Sequence, residues 1–368
     1  MSFSSGTFSL YTPGNPVVTG TTIASTWANN TLTDIASGLS TCVLKDGTQT
    51  ITANIPMSTF KITGLGNPTA AQDGATKIYV DGAASRATIA GRLTLTSGTA
   101  VTTADVTAQT TIYFTPFRGN TIAVYDGTTW QSCTFTEASV TVPATTSTPF
   151  DVFATVNSGT LSLVTTNWTN DTTRATALTT QDGVLVKSGT TTQRYLGSGR
   201  TTTSSGQIDD SQARRYLWNY YNRVPRTMYV AEGTDTWTYS TATYRQANGT
   251  ARNQLDLMIG VSEDMVGATV LAMAANASAS AAGSGLQLVV GIGLDATNTA
   301  SVGFTNIGPD MVATNGNMGV TANWYGYPGV GRHYLAWLEY AQATGTTTWS
   351  GDAGGAITLS GISGMCWA

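Results

Sequence analysis

Thr111-Ile-Tyr-Phe-Thr-Pro-Phe117 opens the stretch that decides the fold of this chain, and Thr121-Ile-Ala-Val-Tyr125, Asp126-Gly127 and Trp130-Gln-Ser-Cys-Thr-Phe135 complete it. The runs on either side of Asp126-Gly127 are short and rich in β-branched and aromatic residues, which is typical of β-strands. An Asp-Gly pair between two such runs favours the tight turn of a β-hairpin. The stretch therefore predicts antiparallel β structure.

The same pattern repeats on the carboxy-terminal side of this hairpin. A second hairpin is predicted from 151–156 to 160–164, and a third from 183–187 to 192–196, each with a Ser-Gly pair in its turn. Residues 91–200 are therefore predicted to form a small all-β domain.

The last third of the chain carries strand signals every ten to fifteen residues. A Ser/Thr-rich linker and a short helix, Ser211–Tyr221, are predicted within 201–225. The region 226–368 is then predicted to be a β-sandwich of jelly-roll type. Its expected strands are 227–231, 236–246, 254–261, 269–275, 286–294, 300–304, 318–325, 333–340 and 357–365.

The amino-terminal region, 1–90, has a different pattern. Apolar residues at helical spacing predict a helix over 23–42, with Ser25 or Thr26 as its N-cap. Two short strands are predicted within 44–65, followed by a helix over 69–90. None of these pieces has enough apolar residues to bury a core alone, so we expect the segment to fold against copies of itself.

Composition narrows the classes of function. Only 10% of the residues are charged against 41% hydrophobic, and the net charge is −4, which disfavours disorder. A pI near 4.9 disfavours a nucleic-acid partner, and the arginines between 214 and 226 are expected to pair locally. We find no signal peptide and no stretch long enough to span a membrane, so no membrane insertion is predicted.

The residue types of catalysis and metal binding are sparse. His333 is the single histidine, and a lone histidine between aromatic residues is more often structural than catalytic. The adjacent acids Glu263-Asp264 and Asp209-Asp210 would point to opposite faces of a strand. The three cysteines, at 42, 133 and 366, have no metal spacing and are predicted to be buried free thiols. No catalytic residue, metal or cofactor is therefore predicted.

Aromatic residues supply the candidate binding surface. They are Trp237, Tyr239, Trp324, Tyr325 and Tyr327, the last two in a Gly-rich loop that runs to Gly331. Packing in the core or in an interface between subunits is one interpretation of this set. Contact with a sugar or a receptor on a bacterial surface is the other, because exposed aromatic residues commonly make such contacts.

Three blocks of the chain resemble a known class of protein. The first includes Leu44-Lys-Asp-Gly47, Phe60-Lys-Ile-Thr-Gly-Leu65 and Asn67-Pro-Thr-Ala-Ala-Gln-Asp-Gly-Ala-Thr-Lys-Ile-Tyr-Val-Asp81. It is similar to a module near the amino end of tailed-bacteriophage fibre proteins. The second block, within 149–223, and the third, Arg332-His-Tyr-Leu-Ala-Trp-Leu-Glu339 with its continuation to Trp349, resemble segments of tail-fibre-like structural proteins.

The resemblance implies a homotrimer, an amino-terminal end bound to other virion proteins through residues 1–90, and a distal carboxy-terminal head. It supplies no catalytic or binding residue. The sequence thus predicts a non-enzymatic virion fibre protein, made in the host cytoplasm, that adheres to a bacterial surface glycan or protein receptor. Two alternatives stay open: a purely structural head or collar fibre, and a short tailspike that hydrolyses surface polysaccharide.

Overall fold

A computed structural model describes residues 18–20, 22–40, 51, 54–77, 79–80, 88–157, 159–278, 288–301, 316–355 and 359–368, with the backbone of 3–4, 7–8 and 304–305. Strands contain 47% of the residues, about twice the usual share of a globular protein. The chain is therefore mainly β, as predicted. Contacts group it into two units, Met1–Leu65 and Gly66–Ala368.

The first unit contains one strand pair and one helix among its described residues. Strands β1 (Phe3–Ser4) and β2 (Thr7–Phe8) form an antiparallel pair, and helix α1 spans Ser25–Leu39. The helix prediction is confirmed, but its N-cap was wrong. The cap is Ala24, which lacks a side-chain acceptor, and Ser25 already lies inside the first turn.

The described part of 44–65 contains no strand, so the two short strands predicted there are wrong for residues 51 and 54–65. A turn closes at Phe60, whose N–H donates to the Met57 carbonyl (2.9 Å). Strands need a neighbouring strand to accept their hydrogen bonds, and the described residues offer none here. Apolar side chains stay exposed as a result, among them Ile55, Phe60 and Ile62.

The helix predicted over 69–90 is also wrong for most of its described length. The Asp73 carboxylate accepts the N–H groups of Thr69 (2.8 Å) and Ala70 (2.9 Å), which closes a turn instead of a helix. Residues 77, 79 and 80 are helical, and 81–87 lie outside the described residues. At 88–90 the chain is extended, and Ile89 forms a β-bridge with Ile122.

Eleven strands lie within residues 91–200, and all three predicted hairpins are confirmed. The three hairpins are the pairs β6–β7, β9–β10 and β12–β13, each antiparallel. The strands are β3 (Gly91–Thr94), β4 (Val106–Gln109), β5 (Thr111–Pro116), β6 (Thr121–Tyr125), β7 (Trp130–Thr134), β8 (Ala138–Thr141), β9 (Pro149–Asn157), β10 (Thr160–Asn167), β11 (Leu178–Gln181), β12 (Val184–Lys187) and β13 (Thr190–Arg200).

The short helix predicted at 211–221 is wrong, because this segment forms strands. They are β15 (Arg214–Arg215) and β16 (Leu217–Asn219), and β14 (Ile208–Asp210) comes just before them. All three residues of β16 are buried, since the strand pairs with β13 and packs on both sides. A strand that is apolar on both faces lacks the alternation that distinguishes it from a helix.

Strands make up most of the described residues from 225 to the end of the chain, close to the predicted positions. They are β17 (Pro225–Ala231), β18 (Thr236–Tyr239), β19 (Arg245–Gln246), β20 (Gln254–Ile259), β21 (Val266–Asn276), β22 (Leu288–Leu294), β23 (Phe304–Thr305), β24 (Met318–Gly326), β25 (Gly331–Ala341), β26 (Thr347–Ser350) and β27 (Gly361–Trp367). The run predicted at 236–246 is interrupted between β18 and β19, and a 3-10 turn, Ala247–Gly249, follows β19. Strand β26 was not predicted.

Two large hydrophobic cores organise the second unit, and a third, small cluster contains Ala123, Trp130 and Val186. The C-terminal core lies between β20, β22 and β25 on one side and β21, β24 and β27 on the other, with Leu257, Trp337, Val270 and Ile362 inside. This is sheet-on-sheet packing of the sandwich kind. The middle core is built from strands of 91–200, and Leu217 belongs to it.

Candidate functional site

The candidate site is one face of the C-terminal sandwich. Strands β17, β27, β21 and β24 lie side by side in that order. Gly267 of β21 pairs with Met365 of β27 on one side and with Tyr325 of β24 on the other, so these residues form one row across the sheet. Side chains alternate along each strand, and the intervening residues, such as Ala268, are buried in the C-terminal core.

We call the solvent side of these four strands the outer face. Its positions are Pro225, Thr227, Tyr229, Ala231, Gly361, Ser363, Met365, Trp367, Gly267, Thr269, Leu271, Met273, Gly319, Thr321, Asn323 and Tyr325. None of these residues is charged. Hydroxyl and amide groups alternate with aromatic rings and methionines, and the Thr269 hydroxyl donates to Asn323 Oδ1 (2.7 Å).

A shallow groove of about 340 Å³ crosses the outer face. The ring of Tyr325 forms one wall and lies against Gly267, where an added Cβ would come within 2.6 Å of the ring. One side of the ring therefore rests on the backbone while the side chain as a whole is 62% exposed. Met265, Met365 and Trp367 line the rest, and each has between 40 and 49% of its surface exposed. The groove thus has a flat aromatic wall. The Tyr325 ring can lie this close to the backbone only because residue 267 is a glycine and has no Cβ.

The aromatic residues predicted as one contact surface divide into two groups. Tyr325 and Tyr327 are exposed, whereas Trp324 and Trp237 are buried in the C-terminal core. Trp324 precedes Tyr325 on the same strand, so the two must point to opposite faces. Only one of these neighbours can therefore meet a ligand.

Trp237 and Tyr239 have structural partners instead. Trp237 Nε1 donates to Glu339 Oε2 (2.6 Å), and burial raises the pKa of that carboxyl group. Tyr239 donates its hydroxyl proton to the Thr243 carbonyl (2.9 Å) and lies under the Arg245 guanidinium, 4.0 Å from the ring centre. Neither ring faces the groove.

Sequence reasoning missed most of the outer face. Tyr229, Leu271, Met365 and Trp367 come from three separate strands, and only the strand register brings them together. Met265, which lines the groove, comes just before β21. One local signal was available. The run Gly361–Trp367 alternates Ser, Met and Trp with Ile, Gly and Cys, which predicts an aromatic and thioether stripe on one side of a strand.

The single histidine lies in a hydrogen-bonded corner. His333 Nδ1 is 2.8 Å from Asp295 Oδ2, and Asp295 Oδ1 accepts the N–H of Tyr334 (2.9 Å). Despite the burial, these contacts hold the pKa of Asp295 below its usual range. His333 Nε2 is buried, and within the described parts of the chain no hydroxyl or thiol is bonded to it. The corner joins the end of β22 to β25.

The acidic residues that are adjacent in the sequence form ion pairs with arginines. Asp209 binds Arg214 (3.0 Å), while Asp210 binds Arg215 (2.9 Å) and Arg226 (2.7 Å). Glu263 and Asp264 both contact Arg223, at 2.7 and 2.6 Å. The prediction that the arginines of 214–226 pair locally is therefore confirmed.

Two further observations concern metals and membranes. Searching the residues that the structure describes, we find no group of three or more His, Cys, Asp or Glu side chains placed to hold a metal ion. The same residues include no helix with the length and apolar character needed to cross a bilayer. Cys133 and Cys366 are buried free thiols, as predicted, and Cys42 lies outside the described residues.

Comparison with known proteins adds little to this picture. No family model and no curated protein sequence matches the chain. Among solved structures, it is similar to BuGH86wt in complex with neoagarooctaose (8% identity, 72% of this chain and 34% of that one, TM-score 0.23). It is also similar to infectious bursal disease virus, Gt strain (9%, 71% and 69%, TM-score 0.22).

A third similar structure is BpGH86A, a β-porphyranase of glycoside hydrolase family 86 from the human gut bacterium Bacteroides plebeius (7% identity, 68% of this chain and 37% of that one, TM-score 0.19). The chain spans little more than a third of the length of either hydrolase. At these TM-scores the similarities support no conclusion about function.

Proposed function

We propose that this chain is a non-enzymatic fibre protein of a tailed-bacteriophage virion, and that its C-terminal region, a sandwich of jelly-roll type, adheres to a bacterial surface glycan. The protein is a homotrimer in this proposal, attached to other virion proteins through residues 1–90. The uncharged outer face with its Tyr325 groove is the observation that carries the adhesive role.

The chemistry of the outer face suits a neutral sugar. A pyranose ring presents C–H groups on its faces and hydroxyls around its edge. The exposed side of the Tyr325 ring offers an apolar surface to the C–H groups of the sugar. The sugar's hydroxyls can form hydrogen bonds with Thr227, Ser363 and Asn323. A charged side chain would have to lose its water on binding, and the outer face contains none.

Exposed apolar residues of the first unit support the trimer. Ile55, Phe60 and Ile62 have more than half of their surface exposed, and so do Leu32 and Leu39 of α1. Other copies of the chain would cover these side chains. Three identical outer faces would then bind a repetitive glycan with an avidity well above the affinity of one site.

Glycan binding is tested with the full chain and surface polysaccharide extracted from candidate host cells. Tyr325→Ala should weaken binding roughly tenfold, the loss expected for about 1.4 kcal/mol at one aromatic contact. Tyr327→Ala is the matched control, because Tyr327 is as exposed as Tyr325 (65% against 62%) but is not part of the outer face and does not line its groove. Its binding should equal that of the unmodified chain.

The same preparations separate the alternatives. If no polysaccharide binds, the adhesive role fails and a purely structural fibre is favoured. If new reducing ends appear in the polysaccharide, the protein is a hydrolase. Light scattering tests the oligomer, since three chains of 38.3 kDa are expected and a monomer would contradict the trimer.

A further inference from the structure

A second cleft, separate from the outer face, collects an unusual share of the cationic side chains. It measures about 530 Å³, and we call it the arginine cleft. Four of the seventeen Lys and Arg residues of this acidic chain line it. Its charged lining consists of Arg200, Arg214, Arg252, Arg332, Asp209 and Asp256.

Adjacent strands of one sheet build most of the arginine cleft. Asp209 lies on β14, Arg214 on β15, Asp256 on β20 and Arg332 on β25, and these four strands are neighbours in that order. Arg214 and Asp256 occupy the same register position of the parallel pair β15–β20. The charged groups are therefore fixed by the backbone of regular strands.

Two of the arginines are held rigidly by carboxylates. Asp256 accepts from Nε of Arg332 (2.8 Å) and also from its Nη2. Asp171 accepts from Nε (2.9 Å) and Nη2 (3.3 Å) of Arg200. Each pairing uses one edge of a guanidinium. Nη1 of Arg332 has no hydrogen-bond acceptor among the described residues, so it keeps its donors for another group.

The charges of the arginine cleft do not cancel. Asp171, Asp209 and Asp256 each neutralise one arginine, whereas Arg252 is exposed and makes no ion pair with any residue that the structure describes. Burial raises the pKa of Tyr216, which also lines the cleft, to about 12, so its phenol is neutral at pH 7. One positive charge is left over among the lining residues and Asp171. Glu232 lines a neighbouring cavity together with Arg252, but its carboxylate accepts from Asn253 (2.7 Å) and forms no ion pair among the described residues.

We infer that the arginine cleft binds an oxyanion carried by a surface glycan, either the carboxylate of an acidic sugar or a phosphate substituent. Guanidinium groups recognise both through paired N–H donors. Because Asp256 and Asp171 already order two of the guanidiniums, little conformational entropy is lost on binding. Ion pairs that stabilise the fold explain the presence of the paired arginines. They do not explain Arg252, which is exposed and lines the cleft without an ion pair among the described residues.

The test is direct binding of small purified probes to the full chain by calorimetry. The probes are trigalacturonate for the carboxylate, glucose 1-phosphate for the phosphate, and maltotriose as the neutral sugar. At least one acidic probe should bind and maltotriose should bind more weakly; which acidic probe binds identifies the source of the oxyanion. The inference would be overturned if neither trigalacturonate nor glucose 1-phosphate bound at concentrations up to ~10 mM. It would also be overturned if maltotriose bound as tightly as the acidic probes.

Arg252→Gln is the decisive variant, with Arg118→Gln as its matched control. Both arginines are exposed and free of ion pairs among the described residues, but Arg118 lies in the turn between β5 and β6, outside the cleft. Arg252→Gln should lower the affinity for the acidic probe about fivefold to tenfold, and Arg118→Gln should leave it within about twofold. Equal losses in both would show non-specific attraction and overturn the inference.

The inference rests on the proposed function in one respect only, namely that a surface glycan carries the oxyanion. Its failure is distinguishable from the failure of adhesion by the outer face, because the two sites respond to different variants. Tyr325→Ala should leave the affinity for the acidic probe unchanged, and Arg252→Gln should leave the binding of a neutral polysaccharide unchanged.

Discussion

Asp210 is the residue whose replacement tests the packing most sharply. Its side chain, 14% exposed, binds Arg215 and Arg226, which are themselves 5% and 6% exposed. The two arginines also donate to main-chain carbonyls, Arg215 to Thr227 (2.7 Å) and Arg226 to Thr102 (2.8 Å). Asp210 is therefore the one carboxylate shared by two buried cations that join β14, β15 and β17.

Asp210→Asn should lower the free energy of unfolding by about 3 kcal/mol. The amide keeps one carbonyl oxygen, so one of the two charge-assisted hydrogen bonds is lost, at about 1.5–3 kcal/mol. Both arginines also lose their counter-charge, and buried cations left without one cost several kcal/mol. Burial already holds the pKa of Arg226 below its usual range, and Asp210 opposes that shift.

Urea unfolding followed by tryptophan fluorescence measures the change. A loss of 3 kcal/mol should move the midpoint by roughly 1 M for a slope of about 3 kcal/mol per M. Glu263→Gln is the matched control. Glu263 is 41% exposed and shares Arg223 with Asp264, so the loss of its charge should cost at most about 1 kcal/mol. Equal midpoints for the two variants would refute the reasoning.

Three further outcomes are expected. Trp324→Ala should lower the free energy of unfolding by about 3–5 kcal/mol in the urea assay, whereas Tyr325→Ala should stay within ~0.5 kcal/mol. Asp126→Ala should cost about 1 kcal/mol at pH 7, because its carboxylate accepts the N–H groups of residues 129 and 128 (both 2.8 Å) and these bonds lower its pKa. A lowered pKa adds stability above the ordinary value of 3.8, so the gap between variant and parent should close as the pH falls below it. Cys366 should resist alkylation at pH 8 in a Cys42→Ser background until urea unfolds the chain, since burial raises its pKa to about 12.

Local signals predicted the hairpins well. The pair β6–β7 has the predicted turn, with Tyr125 opposite Trp130 and Gly127 at a positive φ of 104°. Turn residues and alternation act over a few residues, so one sequence contains the whole signal.

Packing between residues that are far apart in the sequence could not be predicted from one sequence. Leu217 and Trp218 lie within the segment predicted as a short helix, but they belong to a strand and each is buried in a different core. The outer face likewise depends on the register that sets Met365 and Tyr325 on either side of Gly267. Register is a property of strand pairs, and the arginine cleft, built from four strands, was missed for the same reason.

Strand β16 has a consequence for how such a protein can change its target. Its hydrogen bonds run to β13, Leu217 fills the middle core and Trp218 fills the C-terminal core. A recombination junction between residues 200 and 226 would therefore separate side chains that complete each other's packing. Single substitutions on the solvent side of β17, β21, β24 and β27 are an easier route to a new binding specificity. Exposed side chains there can be replaced without changing the packing of either core.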